Sequence, residues 1–70
     1  MPQPKAAEEL FRHGLIRCVN CDARLDSLGG VCRHCGYANR RGEVLERAGR
    51  LAEERRLWWL HDVIEALKRR

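Results

Sequence analysis

Long apolar runs are missing from this chain. No stretch approaches the roughly 20 apolar residues that a membrane-spanning helix needs. The N-terminal MPQPKAAEEL has no apolar core of the kind a secretory signal carries. A cytoplasmic setting is therefore expected, and with it reduced thiols. Catalytic arrangements are missing too. The three histidines fall into no Ser/His/Asp or Cys/His pattern, so a non-enzymatic protein is expected. Size is the third shortage. Seventy residues form one small domain that buries little core and usually needs a staple. Breakers are scarce in the C-terminal part: residues 43–69 hold no proline and only Gly49.

Cysteine is present, and its placement is ordered. Cys18 to Cys35 reads CVNCDARLDSLGGVCRHC, two C-x-x-C pairs separated by ten residues, and it holds all four cysteines of the chain. In a reducing compartment such pairs point to a metal rather than to disulfides. A C-x-x-C pair on a tight turn lets both thiolates reach one ion while backbone N–H groups face the sulfurs. Two such turns face to face make a tetrahedral all-sulfur site of Cys18, Cys21, Cys32 and Cys35. Soft thiolates suit zinc or iron, not magnesium or calcium. The protein fills every position and leaves none for water, so the expected metal is structural rather than catalytic. Its binding energy, about 10–16 kcal/mol, is then folding energy.

At these residues the chain resembles the short zinc-ribbon family. The matching segments are Cys18-Val19-Asn20-Cys21-Asp22 and Val31-Cys32-Arg33-His34-Cys35-Gly36, and the likeness spans about residues 16–39. It departs from the family pattern in lacking proline in both knuckles and in placing Asp22 where a knuckle glycine is usual. Asp tolerates the left-handed conformation better than most residues. The resemblance implies a ribbon of two or three short strands with one structural Zn²⁺. Cys35-Gly36-Tyr37 also looks like half of a rubredoxin knuckle, which would hold iron for electron transfer. The ribbon has only Tyr37 to pack around such an iron, and its cysteine pairs are closer than is usual there, so zinc is favoured over iron.

The rest of the chain is read around this site. Residues 1–14 form an extended start (MPQP) and a short helix over KAAEELFRH, with Ala6, Ala7, Leu10 and Phe11 as its apolar stripe and Gly14 as its stop. Nine residues do not hold a helix alone, so this one must dock on the C-terminal helix. Residues 15–40 form the ribbon, with strands expected at Leu15–Arg17, Arg24–Leu25, Val31 and Tyr37–Ala38, and a turn at Asp26–Gly30. Residues 43–69 read as one long helix packed on the ribbon or on a partner. Glu43–Arg47, Glu46–Arg50 and Glu65–Arg69 are spaced as i,i+4 pairs. Val44, Leu45, Ala48, Leu51 and Ala52 share one narrow face. The fold class expected is a small metal-stabilised α+β domain: a zinc ribbon with a short N-terminal and a long C-terminal helix.

Two surfaces stand out as candidates for function. In LWWLHDVIEAL the apolar residues Leu57, Trp59, Leu60, Val63, Ile64 and Leu67 spread over about half a helix circumference, more than so small a protein can cover, and with Trp58 they make up the candidate partner surface. One Trp can pack under the ribbon or against Phe11; the other is left near the surface, where Trp is a frequent interface anchor. Docking on a protein partner, or homodimerisation through residues 57–67, is the expected function. Asp62 and Glu65 argue against a membrane-surface helix. The second surface is Arg17, Arg24, Arg33, Arg40 and Arg41 with Tyr37, which could grip nucleic acid in transcription or translation machinery. The formal charge of +4 falls to about +2 when four thiolates hold one Zn²⁺, which weakens that alternative. No small-molecule substrate is expected.

Overall fold

The computed structural model describes residues 4–69; the expected extended start at residues 1–3 lies outside them. The elements in order are helix α1 (Pro4–Arg12), strands β1 (Gly30–Val31) and β2 (Ala38–Asn39), helix α2 (Arg41–Glu54) and helix α3 (Trp59–Lys68). It is a small α+β fold with one two-stranded antiparallel sheet, in which Gly30 faces Asn39 and Val31 faces Ala38. Of the other expected strands only a single bridge forms, between Arg17 and Arg24.

Helix α1 ends where Gly14 predicts. Gly14 takes φ 69°, its N–H donates to the Phe11 carbonyl, and the Leu15 N–H donates to the Leu10 carbonyl. This is a Schellman closure, with the two leucines that flank it fully buried. As expected, α1 docks on the C-terminal region, against α3.

The single helix expected over 43–69 is instead two helices that fold back on each other. Helix α2 closes with the same motif as α1: Arg56 N–H donates to the Glu53 carbonyl and Leu57 N–H to the Ala52 carbonyl. The left-handed residue here is Arg56, at φ 60°. A non-glycine residue in that region costs roughly 1–2 kcal/mol. The fold-back buries Leu60 and Ile64, at 0% and 1% exposure, each worth about 1.5–3 kcal/mol. Burial wins, and a chain with no glycine at the turn still breaks its helix there.

The core is Leu10, Leu15, Ile16, Val44, Leu45, Ala48, Ala52, Leu60 and Ile64. The predicted face of α2 is therefore the buried one, with Leu51 half-buried beside it. Side chains pin the helix ends together. Arg41 donates to the Leu67 carbonyl at the end of α3 (3.1 Å), and Arg55 donates to the His13 carbonyl at the end of α1 (2.7 Å). The Glu43–Arg47 pair expected from spacing does not form, because Arg47 turns to Asp22; Glu65 pairs with Lys68 rather than Arg69. No helix among the described residues is long and apolar enough to cross a membrane.

Candidate metal centre

The two cysteine pairs sit on the same local structure, built twice. In each, the first cysteine's N–H is bonded to the carbonyl five residues on: Cys18 to Ala23 (2.8 Å), Cys32 to Tyr37 (2.9 Å). In each, the residue after the second cysteine donates back to the first cysteine's carbonyl: Asp22 to Cys18 (2.9 Å), Gly36 to Cys32 (2.8 Å). Both of those residues are left-handed, at φ 68° and 81°. The residues bracketing each knuckle pair across a hairpin, Arg17 with Arg24 and Val31 with Ala38. Asp22 thus occupies the glycine position in conformation as well as in sequence.

The sulfurs converge. All four Sγ atoms lie within 4.8 Å of one another. Cys18 and Cys35 are 3.6 Å apart, as are Cys21 and Cys32. A regular tetrahedron with metal–sulfur bonds of about 2.3 Å has edges of about 3.8 Å. The separations match one ion shared by four thiolates, and are far longer than the roughly 2.05 Å of a disulfide. The residues therefore fit a structural metal. Backbone N–H groups face the sulfurs as the knuckle turn requires: Asn20 and Cys21 toward Cys18 (3.4 and 3.5 Å), His34 toward Cys32 (3.3 Å). The Asn20 side-chain amide donates to Cys35 across the site (3.5 Å). His34 itself is exposed and takes no part in the sulfur cluster.

The metal-free thiols are not equivalent. Burial opposes ionisation of Cys18, but the Cys21 and Asn20 N–H groups, the Asn39 amide and the Cys35 thiol outweigh it and bring Cys18 down to about 6. The Ala23 N–H favours the Cys21 thiolate, yet burial and the thiols of Cys35, Cys32 and Cys18 carry Cys21 up to about 12. The Asn20 amide and the Tyr37 N–H lower Cys35. A dication at the centre removes this conflict by letting all four carry charge together.

Two supports of the site escape a reading of spacing alone. Asn39, only 6% exposed, ties the two hairpins to each other. Its Oδ1 accepts from the Val19 N–H of the first knuckle (2.9 Å), and its Nδ2 donates to the carbonyls of Gly30 and Tyr37 (3.3 Å each). Asp22 is the second. Arg47 of α2 donates to its carboxylate at 2.6 Å, and Arg17 donates to its carbonyl at 2.8 Å. The departure from glycine thus gains a clasp between knuckle and helix. Gly29 has its own reason: an added Cβ would stand 3.3 Å from the Arg41 nitrogen.

Several residues of the expected nucleic-acid surface have partners within the chain. Arg17 is held by the carbonyls of Gly14 and Asp22, Arg33 pairs with Asp26 (3.3 Å), and Arg41 is spent on the Leu67 carbonyl. Arg24 packs over Gly14, and exposed Arg40 precedes α2. Tyr37 lines a groove with Val19, Glu43, Glu46, Arg47 and Arg50, where two carboxylates would meet a phosphate chain.

The expected partner surface divides. Leu60 and Ile64 belong to the core, because the fold-back of α3 turns them onto α1 and α2. Leu57, Val63 and Leu67 are half-buried against it. Trp58 and Trp59 remain 59% and 57% exposed, so neither packs under the ribbon. Trp59 meets the His13 ring edge-on, with centroids 6.1 Å apart and planes at 73°. Comparison with protein-family models, curated proteins and solved structures finds no match for this chain.

Proposed function

We propose that this chain is a non-enzymatic interaction module of the zinc-ribbon kind, held by one structural Zn²⁺ and docking on a protein partner through Trp58 and Trp59. The observation that carries the docking is the double exposure of these tryptophans at the closed turn between α2 and α3. Four thiolates suit zinc or iron, and the closely spaced pairs and the single ribbon aromatic, Tyr37, support zinc as the metal of this reading. Free thiols in such a site belong in a reducing compartment such as the cytoplasm.

A protein with an apolar pocket is a better occupant than a second copy. Fully buried, a Trp contributes about 150–250 Å², and more than two-fifths of each is already covered. Two copies meeting through these pairs would bury well under the roughly 1,200 Å² of a stable specific interface. A pocket that encloses both rings needs no such symmetry.

The test is affinity capture from native extract with the intact chain and with Trp58→Ala/Trp59→Ala, each before and after nuclease, alongside sedimentation at tens of micromolar. A protein retained by the intact chain, lost by the folded double variant and indifferent to nuclease supports the proposal. Equal retention by both chains sinks it. Nuclease-sensitive capture favours the nucleic-acid alternative, a dimer in sedimentation favours self-association, and a red-brown protein favours iron.

A further inference from the structure

We infer that Cys35 is a site of oxidative modification, and that peroxide attack there converts the sulfur cluster into cross-knuckle disulfides, Cys18–Cys35 first, with release of the metal. This rests on the structural-metal reading above and adds a chemistry to the same residues.

Exposure is unequal among the four cysteine residues. Cys18 and Cys32 are buried, Cys21 is intermediate, and Cys35 is exposed. A small oxidant therefore reaches Cys35 before the others. A sulfur of the other knuckle stands within reach: Cys18, 3.6 Å away and placed as a hydrogen-bond partner of Cys35. Forming the bond needs the sulfurs to close by about 1.5 Å, a side-chain movement. Cys21 and Cys32 stand at the same separation and form the second pair when a second peroxide is consumed in the same way.

The chemistry balances with hydrogen peroxide as the two-electron oxidant. The Cys35 thiolate attacks one peroxide oxygen; the O–O bond breaks, hydroxide leaves, and Cys35 becomes a sulfenic acid. The Cys18 thiolate then attacks that sulfur, forms the S–S bond and expels a second hydroxide. Two thiolates have been oxidised, one peroxide reduced, and both hydroxides take up protons to become water. The metal is left with two of its ligands and dissociates. The new bond joins the same two knuckles that the metal joined, so the ribbon keeps a staple.

The test treats zinc-loaded protein with limiting hydrogen peroxide. Released zinc is followed with a chromogenic chelator, thiols are counted, and disulfides are mapped by mass spectrometry of the digest. The expected result is zinc release in step with the loss of two thiols per chain, Cys18–Cys35 as the first cross-link, and a retained far-ultraviolet dichroism spectrum. Asn20→Ala keeps every ligand but removes the amide that covers the Cys35 sulfur, and zinc release should be severalfold faster. First links within a pair (Cys18–Cys21 or Cys32–Cys35), links between chains, or an unchanged rate in Asn20→Ala would overturn the inference. Zinc content is measured before the oxidant is added. Protein without zinc defeats the structural-zinc reading alone, since the disulfide map of metal-free protein still decides between cross-knuckle and within-pair bonding.

Discussion

Asn39→Ala should loosen the ribbon and, through it, the grip on the metal. The side chain makes three hydrogen bonds from a site 6% exposed, one to each of Val19, Gly30 and Tyr37. Truncation leaves the Val19 N–H without its acceptor, at about 1–3 kcal/mol for an unsatisfied buried donor. The two carbonyl contacts are longer and add less, because a carbonyl tolerates losing one partner better than an N–H does. A total of about 2 kcal/mol is expected, and metal binding is coupled to folding. The apparent zinc affinity should therefore weaken roughly 30-fold, at 1.4 kcal/mol per tenfold. The assay is a chelator competition titration, paired with urea unfolding of the zinc-loaded protein. Asn39→Asp separates the contributions. It keeps the Val19 acceptor but loses both donors and brings a carboxylate toward the Cys18 sulfur, so it should bind zinc no better than Asn39→Ala. An Asn39→Ala protein with wild-type zinc affinity and unfolding midpoint would refute the brace.

Four other outcomes are expected. Chelation of the metal, or Cys18→Ser, should unfold the ribbon; unchanged dichroism and proteolysis on metal removal would defeat the structural-metal argument. Zinc affinity should fall steeply as pH falls, because metal binding displaces protons from the four thiols; competition titrations between pH 5 and 8 check this, and an affinity independent of pH would contradict thiolate ligation. Arg56→Gly should raise stability by about 0.5–1 kcal/mol, since glycine takes φ 60° without strain but loses more chain entropy on folding. Gly49→Ala, in the middle of α2 with nothing within 4 Å of the added Cβ, should raise the urea midpoint by a similar amount, about 0.5–1 kcal/mol in stability.

What could be read from the residues was whatever local chemistry settles. The spacing of Cys18, Cys21, Cys32 and Cys35 places thiols on two tight turns before any tertiary structure is known, and the turns bring the four sulfurs within 4.8 Å. Gly14 stops α1 because a glycine there closes the helix without strain. The face of α2 follows from a 3.6-residue period. The rest depends on competition between distant groups. No glycine or proline marks the break after Glu54, and it exists because Leu60 and Ile64 gain more by folding back than Arg56 loses. Glu43 and Arg47 have the spacing of an ion pair, but Asp22 offers Arg47 a closer partner in the tertiary fold. Asn39 is a polar residue at the end of a short strand. Only the approach of Val19 from the other hairpin makes it a brace, and nothing near Asn39 in the chain announces that approach.

The same tertiary links bear on whether the tryptophans are a loose end. Arg17 joins the first knuckle to the Gly14 carbonyl, and one residue earlier Arg55 joins the end of α2 to the His13 carbonyl. The His13 ring in turn meets Trp59. Leu15 and Ile16, fully within the core, form the backbone between these points and the first metal ligand. The path from Cys18 to Trp59 thus runs through buried side chains and hydrogen bonds rather than through a free linker. Midway along α2 Arg47 reaches Asp22, and at its other end Arg41 reaches the end of α3. A helix of 14 residues is about 21 Å long, so ties near both of its ends fix its direction as well as its position. The metal site and the turn that carries the exposed rings are therefore joined through the packed core. On the docking proposal, a partner meets Trp58 and Trp59 on a turn whose backbone is already set by the fold, and preorganisation of that kind contributes affinity that a small contact area does not.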